Sequence, residues 1–146
     1  MTSAVYRQYK TSGVEWLGDV PSHWRIKPLK QIATVINGYP FDSKAFNAER
    51  GHPLVRIRDL GASLAETYYD GHFVEAAAIT SDDVLIGMDG DFNVGRWRGD
   101  ERALLNQRVC CVRGNTGLIT RFLEYALPYP LKALNDVTFS TTVKHL

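Results

Sequence analysis

Apolar and polar positions alternate most cleanly over residues 53–60, PLVRIRDL. Leu54, Arg56 and Arg58 fall on one side and Val55, Ile57 and Asp59 on the other, so the pattern predicts a strand with one mixed face, ended by Gly61. Val84–Met88 reads as a buried strand running into a turn at Asp89, Gly90 and Asp91. Residues 92–98, FNVGRWR, alternate again, with Gly95 marking a bulge or close approach, and Gly99 to Glu101 turns the chain. The strongest hydrophobic segment is 103–113, with a strand over Arg108–Val112. Apolar residues at 118, 119, 122, 123, 126 and 127 predict a helix over 118–127, closed by Pro128 and Pro130, with a second short helix at 131–135.

Weaker patterns fill the remainder. Residues 1–24 form an irregular N-terminal segment anchored by Trp16, Leu17 and Trp24. Trp24–Lys27 alternates as a short strand, and Pro28 opens a short helix over 29–34. Residues 37–50 read as a loop, because Asn37-Gly38 is a turn pair and Pro40 keeps Tyr39 extended. Tyr68 to His72 suggests a turn and Phe73-Val74 a short strand. The β-branched end, 136–146, reads as extended. At least five short strands and a few short helices, without strict βαβ alternation, predict an α+β fold. Its expected form is a mixed, largely antiparallel twisted sheet with short flanking helices.

Composition narrows the class. A length of 146 residues fits one domain over 1–146, and 45% hydrophobic with 23% charged residues excludes a disordered, collagen-like or disulfide-scaffold chain. No apolar run approaches the ~20 residues of a membrane span, and the first ten residues lack a signal-peptide core, so a cytoplasmic protein without membrane contact is expected. Cys110 and Cys111 are adjacent; on a strand they point to opposite faces and act as small buried hydrophobes.

Charge changes the picture more. The total is +1, yet residues 1–60 carry nine Lys/Arg against five Asp/Glu, while residues 61–90 carry six Asp/Glu and no Lys/Arg. Such segregation can present a basic face to a polyanion, or it can mean only that the acidic block is solvated. No phosphate loop, zinc-protease, nucleophile-elbow or EF-hand pattern is present, and the four histidines have no ligand spacing. Asp82, Asp83, Asp89 and Asp91 read as solvated carboxylates at turns rather than a cation site. No catalytic residue, metal site or cofactor is therefore expected. Arg, Asn and aromatic residues interleaved in turn-rich segments do stand out. Asn93, Arg96 and Arg98 lie between glycine turns with Trp97 as their apolar anchor. Arg56 and Arg58 share a strand face, and Tyr39, Ser43 and Lys44 sit in the Gly/Pro loop. Arg and Asn match guanine and adenine edges, and Lys and Ser suit phosphate oxygens.

The opening YKTSGVEWLGDVPSHWRIKPLKQIATVINGYPF resembles the start of specificity (S) subunits of type I restriction–modification enzymes. HPLVRIRDL, DDVLIGMDGDFNVGRW, LLNQRVCCV and STTVKHL come next in the order that family shows, so the resemblance covers nearly the whole chain. It implies one target recognition domain that reads half of a split site in double-stranded DNA. Modification (methyltransferase) subunits and, through them, restriction subunits would be its partners, with a second S fragment as a further candidate. The long spacer helix and second domain of the family are absent after Leu146. Two alternatives remain: a truncated fragment acting as a protein-interaction module, and the specificity domain of a fused restriction–methylation enzyme. Because LLNQRV recurs whatever sequence the family reads, Asn106 and Gln107 are expected to hydrogen-bond a buried loop rather than to read bases. The expected DNA contacts are Tyr39, Ser43, Lys44, Arg56, Arg58, Asn93, Arg96 and Arg98.

Overall fold

A computed structural model describes residues 5–137. An antiparallel hairpin of β1 (Tyr9–Thr11) and β2 (Asp19–Pro21) comes first, inside the stretch expected to be irregular. The remaining strands are β3 (Ala33–Asn37), β4 (Phe46–Asn47), β5 (His52–Val55), β6 (Tyr68–Tyr69), β7 (Ala78–Ile79), β8 (Val84–Gly87), β9 (Asn93–Gly95), β10 (Ala103–Leu105) and β11 (Val109–Gly114). Helices α1 (Gly117–Ala126) and α2 (Pro128–Val137) come last. The strands form a four-stranded antiparallel sheet, β3-β11-β8-β9, and a five-stranded sheet, β4-β6-β5-β10-β7. In the second sheet the β5–β10 pair is parallel and the others antiparallel. The mixed, largely antiparallel α+β expectation holds, with two sheets rather than one.

The period of two explains the layering. Val84, Ile86, Cys110 and Val112 point to one face of the four-stranded sheet and pack against Leu123, Leu127 and Leu131 of α1 and α2. Leu85, Val109 and Cys111 point to the other face and meet Val55, Ile79, Ala103 and Leu105 of the five-stranded sheet. Leu54 and Leu104 face outward from that second sheet and are covered by Phe41, with Phe46, Tyr69 and Phe73 around them. The two cysteines thus sit on opposite faces, as their adjacency predicts. Burial pushes the Cys110 thiol up to about 11. It also raises the Cys111 thiol, with the nearby Asp83 carboxylate adding to the effect.

Several local expectations differ from the structure. Trp24–Lys27 forms no strand, and its Trp24 and Ile26 remain exposed. The helix expected over 29–34 is one 3-10 turn, Leu29–Gln31; the β-branched Thr34, Val35 and Ile36 then join β3 and pair with β11. The 37–50 loop contains a 3-10 turn, Ser43–Ala45, and β4. Tyr68 and Tyr69 are a strand, whereas Phe73 and Val74 are not. The 53–60 strand stops at Val55: the Asp59 carboxylate accepts from the Arg56 amide at 2.9 Å, folding Ile57–Asp59 into a 3-10 turn. Arg56 and Arg58 therefore do not share a strand face. Pairing of 92–98 ends at Gly95, after which Arg96 O accepts from Gly61 N and Arg98 N donates to Ala62 O. The segment 103–113 divides into β10 and β11, which belong to different sheets. Helix α1 matches its prediction within a residue, with Thr116 capping the Ile119 amide at 3.2 Å. Helix α2 is longer than expected, since Pro128 opens it and Asp136 and Val137 continue it. The rest of the extended end, 138–146, lies outside the described residues. Among the described residues no helix is long and apolar enough to cross a membrane.

Candidate nucleic-acid interface

The register brings four chain segments to one end of the two sheets. Cys110 pairs with Asn37, Val109 with Gly87, and Leu105 with Val55, so β3, β5, β8 and β10 all finish there. Each of these strands runs into a loop or turn. Gly38 N donates to Val109 O at 3.1 Å and Tyr39 N to Leu105 O at 2.8 Å, laying the first loop against the Asn106–Arg108 turn. Asn106 N donates to Val55 O at 3.0 Å, and Met88 N to Arg108 O at 2.9 Å, tying in the other two. A Cβ on Gly38 would lie 1.8 Å from Asn106 O, so only glycine allows this approach.

Three of the expected contacts come together at this end. Tyr39 is 48% exposed, with its ring 5.0 Å from that of Phe41, which in turn lies 4.6 Å from Tyr69. Asn93 is exposed at the start of β9, opposite Gly87. Arg56 directly succeeds β5 and is half-buried, its Nη1 donating to Thr67 Oγ1 at 3.2 Å.

The other five sit elsewhere or are engaged. Ser43 and Lys44 are exposed on the 3-10 turn before edge strand β4, where Lys44 N donates to the Asp42 carboxylate at 3.0 Å. Arg58 Nη1 lies 3.2 Å from Glu66 Oε2. Arg96 and Arg98 lie beyond the far end of β9. Arg98 is exposed, but Arg96 is half-buried with Nε 3.2 Å from Glu124 Oε1 of α1. The expectation that both arginines are displayed together therefore fails for Arg96. Trp97 between them is the anchor expected: it is 2% exposed and its Nε1 donates to Glu101 O at 3.1 Å.

The acidic block is neither wholly solvated nor the counterpart of a separate basic face. Five of its six carboxylates meet arginines from outside the block: Glu66 with Arg58, Asp70 with Arg50, Glu75 with Arg102, Asp83 with Arg113, and Asp89 with Arg108. Segregation along the chain is thus largely cancelled in space. Asp83 is buried, accepts from Arg113 Nε and Nη2 at 2.7 Å and from Thr80 N at 2.9 Å, and is a structural group rather than a solvated turn carboxylate. The Asp83 hydrogen bond raises the Arg113 pKa, and the Arg102 hydrogen bond holds the Glu75 carboxyl below its ordinary range. Among the described residues no group of three His, Cys, Asp or Glu is placed to hold a metal ion.

Sequence reasoning passes over the Asn106–Arg108 turn. Asn106 is half-buried and Gln107 and Arg108 are exposed, so Gln107 does not hydrogen-bond a buried loop. The signal is present in the chain: a polar triplet, NQR, interrupts the apolar runs ALL and VCCV.

Residues 21–146 match the type I restriction modification DNA specificity domain family. The chain belongs to that family. It is 40% identical over 135 residues to the type I restriction enzyme EcoBI specificity subunit of Escherichia coli, covering 91% of this chain and 28% of that subunit. The fold is that of the HsdS subunit from Thermoanaerobacter tengcongensis, with a TM-score of 0.64, 21% identity, and coverage of 93% of this chain and 33% of that one. A chain solved in work on complex assembly and conformational transition of the type I R-M system gives a TM-score of 0.66 at 22% identity, covering 90% and 33%. The chain spans a third or less of the length of each of these relatives.

Proposed function

We propose that this specificity domain is one target recognition domain that reads duplex DNA for a type I restriction–modification system and carries out no chemistry itself. The observation that carries the reading is the convergence of Tyr39, Arg56 and Asn93 at one end of the sheets, in a chain of the DNA specificity family. Loops held by sheet ends suit this task, because a rigid scaffold fixes side chains that must match base edges. Methyl transfer and cleavage would belong to modification and restriction subunits, and the assembly would be cytoplasmic.

A second feature supports the protein partners. Leu118, Phe122 and Tyr125 of α1 and Tyr129 of α2 repeat at helical spacing and are exposed, with Trp16 stacked 5.9 Å from the Tyr129 ring. Contiguous exposed apolar surface of this kind marks protein contact, and we assign it to the modification subunit.

Titration of the chain with labelled duplexes tests the reading. Weak binding is expected, since a single site lacks the effective concentration of two linked sites. Affinity should fall as salt rises through counterion release. Incubation with magnesium, ATP and S-adenosylmethionine should leave the DNA uncut and unmethylated. Salt-independent binding, or methylation that survives repurification, would overturn it.

A further inference from the structure

The Asn106–Arg108 turn has the geometry of a reading element although it joins two buried strands. Every backbone neighbour is fixed. Asn106 N donates to Val55 O at 3.0 Å and Val109 N closes the turn onto Asn106 O at 3.0 Å. Met88 N holds Arg108 O at 2.9 Å, and Gly38 lies directly on the Asn106 carbonyl. The turn is thus bound by the segments leaving β3, β5 and β8, and its tip, Gln107, is the part left exposed. Beside it, the paired position of Tyr39 with Asn106 sets an exposed aromatic ring along the same edge. On the other side Arg108 meets Asp89 at 3.8 Å with both side chains largely in water, a contact easily exchanged for a phosphate.

We infer that Gln107 is a base-reading residue of this domain, flanked by Arg108 as a phosphate contact and Tyr39 as a stacking or packing contact. The inference rests on the DNA reading proposed above. The chemistry favours a base edge for Gln107. Its amide carries both donor and acceptor and matches adenine N6 and N7 in the major groove, whereas a phosphate offers acceptors alone. A fixed backbone strengthens the assignment, since little ordering cost remains when the side chain engages. The adjoining Arg108 supplies charge without needing a base-specific geometry.

Selection from a pool of randomised duplexes separates the outcomes. Wild type, Gln107→Ala, Arg108→Ala and Tyr39→Ala are compared, each after its melting temperature is checked. Wild type is expected to enrich a sequence with an adenine-specified position. Gln107→Ala should melt like wild type and lose discrimination at that one position by roughly 5- to 150-fold. Arg108→Ala should weaken all duplexes alike and lower the salt slope by about one. Tyr39→Ala should weaken binding without moving the preferred bases. If wild type enriches a sequence and Gln107→Ala enriches the same one with equal affinity, the inference is wrong while the DNA reading stands. A wild-type chain that retains no duplex overturns both.

Discussion

Trp97 and Tyr39 are both aromatic residues near a glycine in a turn-rich segment, and they do opposite work. Trp97 is buried, with Ala65, Ile79, Leu85 and Leu105 in the same cluster, and its ring lies where a Cβ on Gly99 would be, 2.1 Å from Cζ2. Tyr39 is 48% exposed, and its glycine, Gly38, faces backbone rather than the ring. In one case the glycine makes room for the side chain; in the other it lets the main chain approach so that the side chain is displayed. The sequence pattern does not distinguish these uses. The difference lies in whether the strands on either side are covered by a second layer, as around Trp97, or end there, as around Tyr39.

The largest effect tests the buried half. Trp97→Ala should cost about 3–5 kcal/mol, the range for removing a buried indole and leaving a cavity. Denaturant melts would show it as an earlier midpoint with an unchanged slope. A loss below about 1 kcal/mol would mean that the residue is not the anchor described.

Gly38→Ala sharpens the other half. Its added methyl would meet Asn106 O at 1.8 Å and Val109 O at 2.7 Å, and neither backbone carbonyl can rotate away. The expected cost is about 1–3 kcal/mol, as for other overpacked positions. Because the clash lies under the Asn106–Arg108 turn, duplex affinity should fall by more than in a core variant of equal stability. Equal losses at equal stability would mean that this edge has no part in DNA contact.

These two sites also show how much is legible in the sequence. Period-two runs at 84–88 and 108–112 locate the four-stranded core correctly, since both faces of those strands are buried and any slip would expose them. The same reading fails at Arg56 and Arg58, because alternation cannot reveal that Asp59 captures the Arg56 amide and ends the strand. It also misses β3, whose β-branched residues trail a run of helical spacing and become a strand only by pairing with β11. The family resemblance is carried by ordered blocks rather than by any single contact, so it indicates the fold and class but not the reading residues. Gln107 is the clearest case. A shared block suggests scaffolding, yet only the strand ends reveal that its tip is exposed.

The smallest effect decides between display and anchoring for the arginine pair that flanks Trp97. Arg96 Nε is shielded from solvent and 3.2 Å from Glu124 Oε1, but it is not aligned for a hydrogen bond. The contact is therefore an ion pair linking the segment after β9 to helix α1, with both side chains about a fifth exposed, at 21% and 23%. Half-buried pairs without ideal geometry are worth about 0.5–1 kcal/mol in a double-mutant cycle. Arg96→Ala, Glu124→Ala and the double variant should give a coupling of that size in thermal melts. Arg98→Ala should leave melting unchanged, because Arg98 is exposed and its backbone, not its side chain, bonds to Ala62. Duplex affinity then separates the two roles. If Arg96 is an anchor, the Arg96→Ala variant binds DNA like wild type once its stability loss is matched, and any arginine contribution to reading appears in Arg98→Ala alone. A zero coupling with Glu124 together with lost base preference in Arg96→Ala would reverse the assignment and move the far end of β9 into the DNA interface.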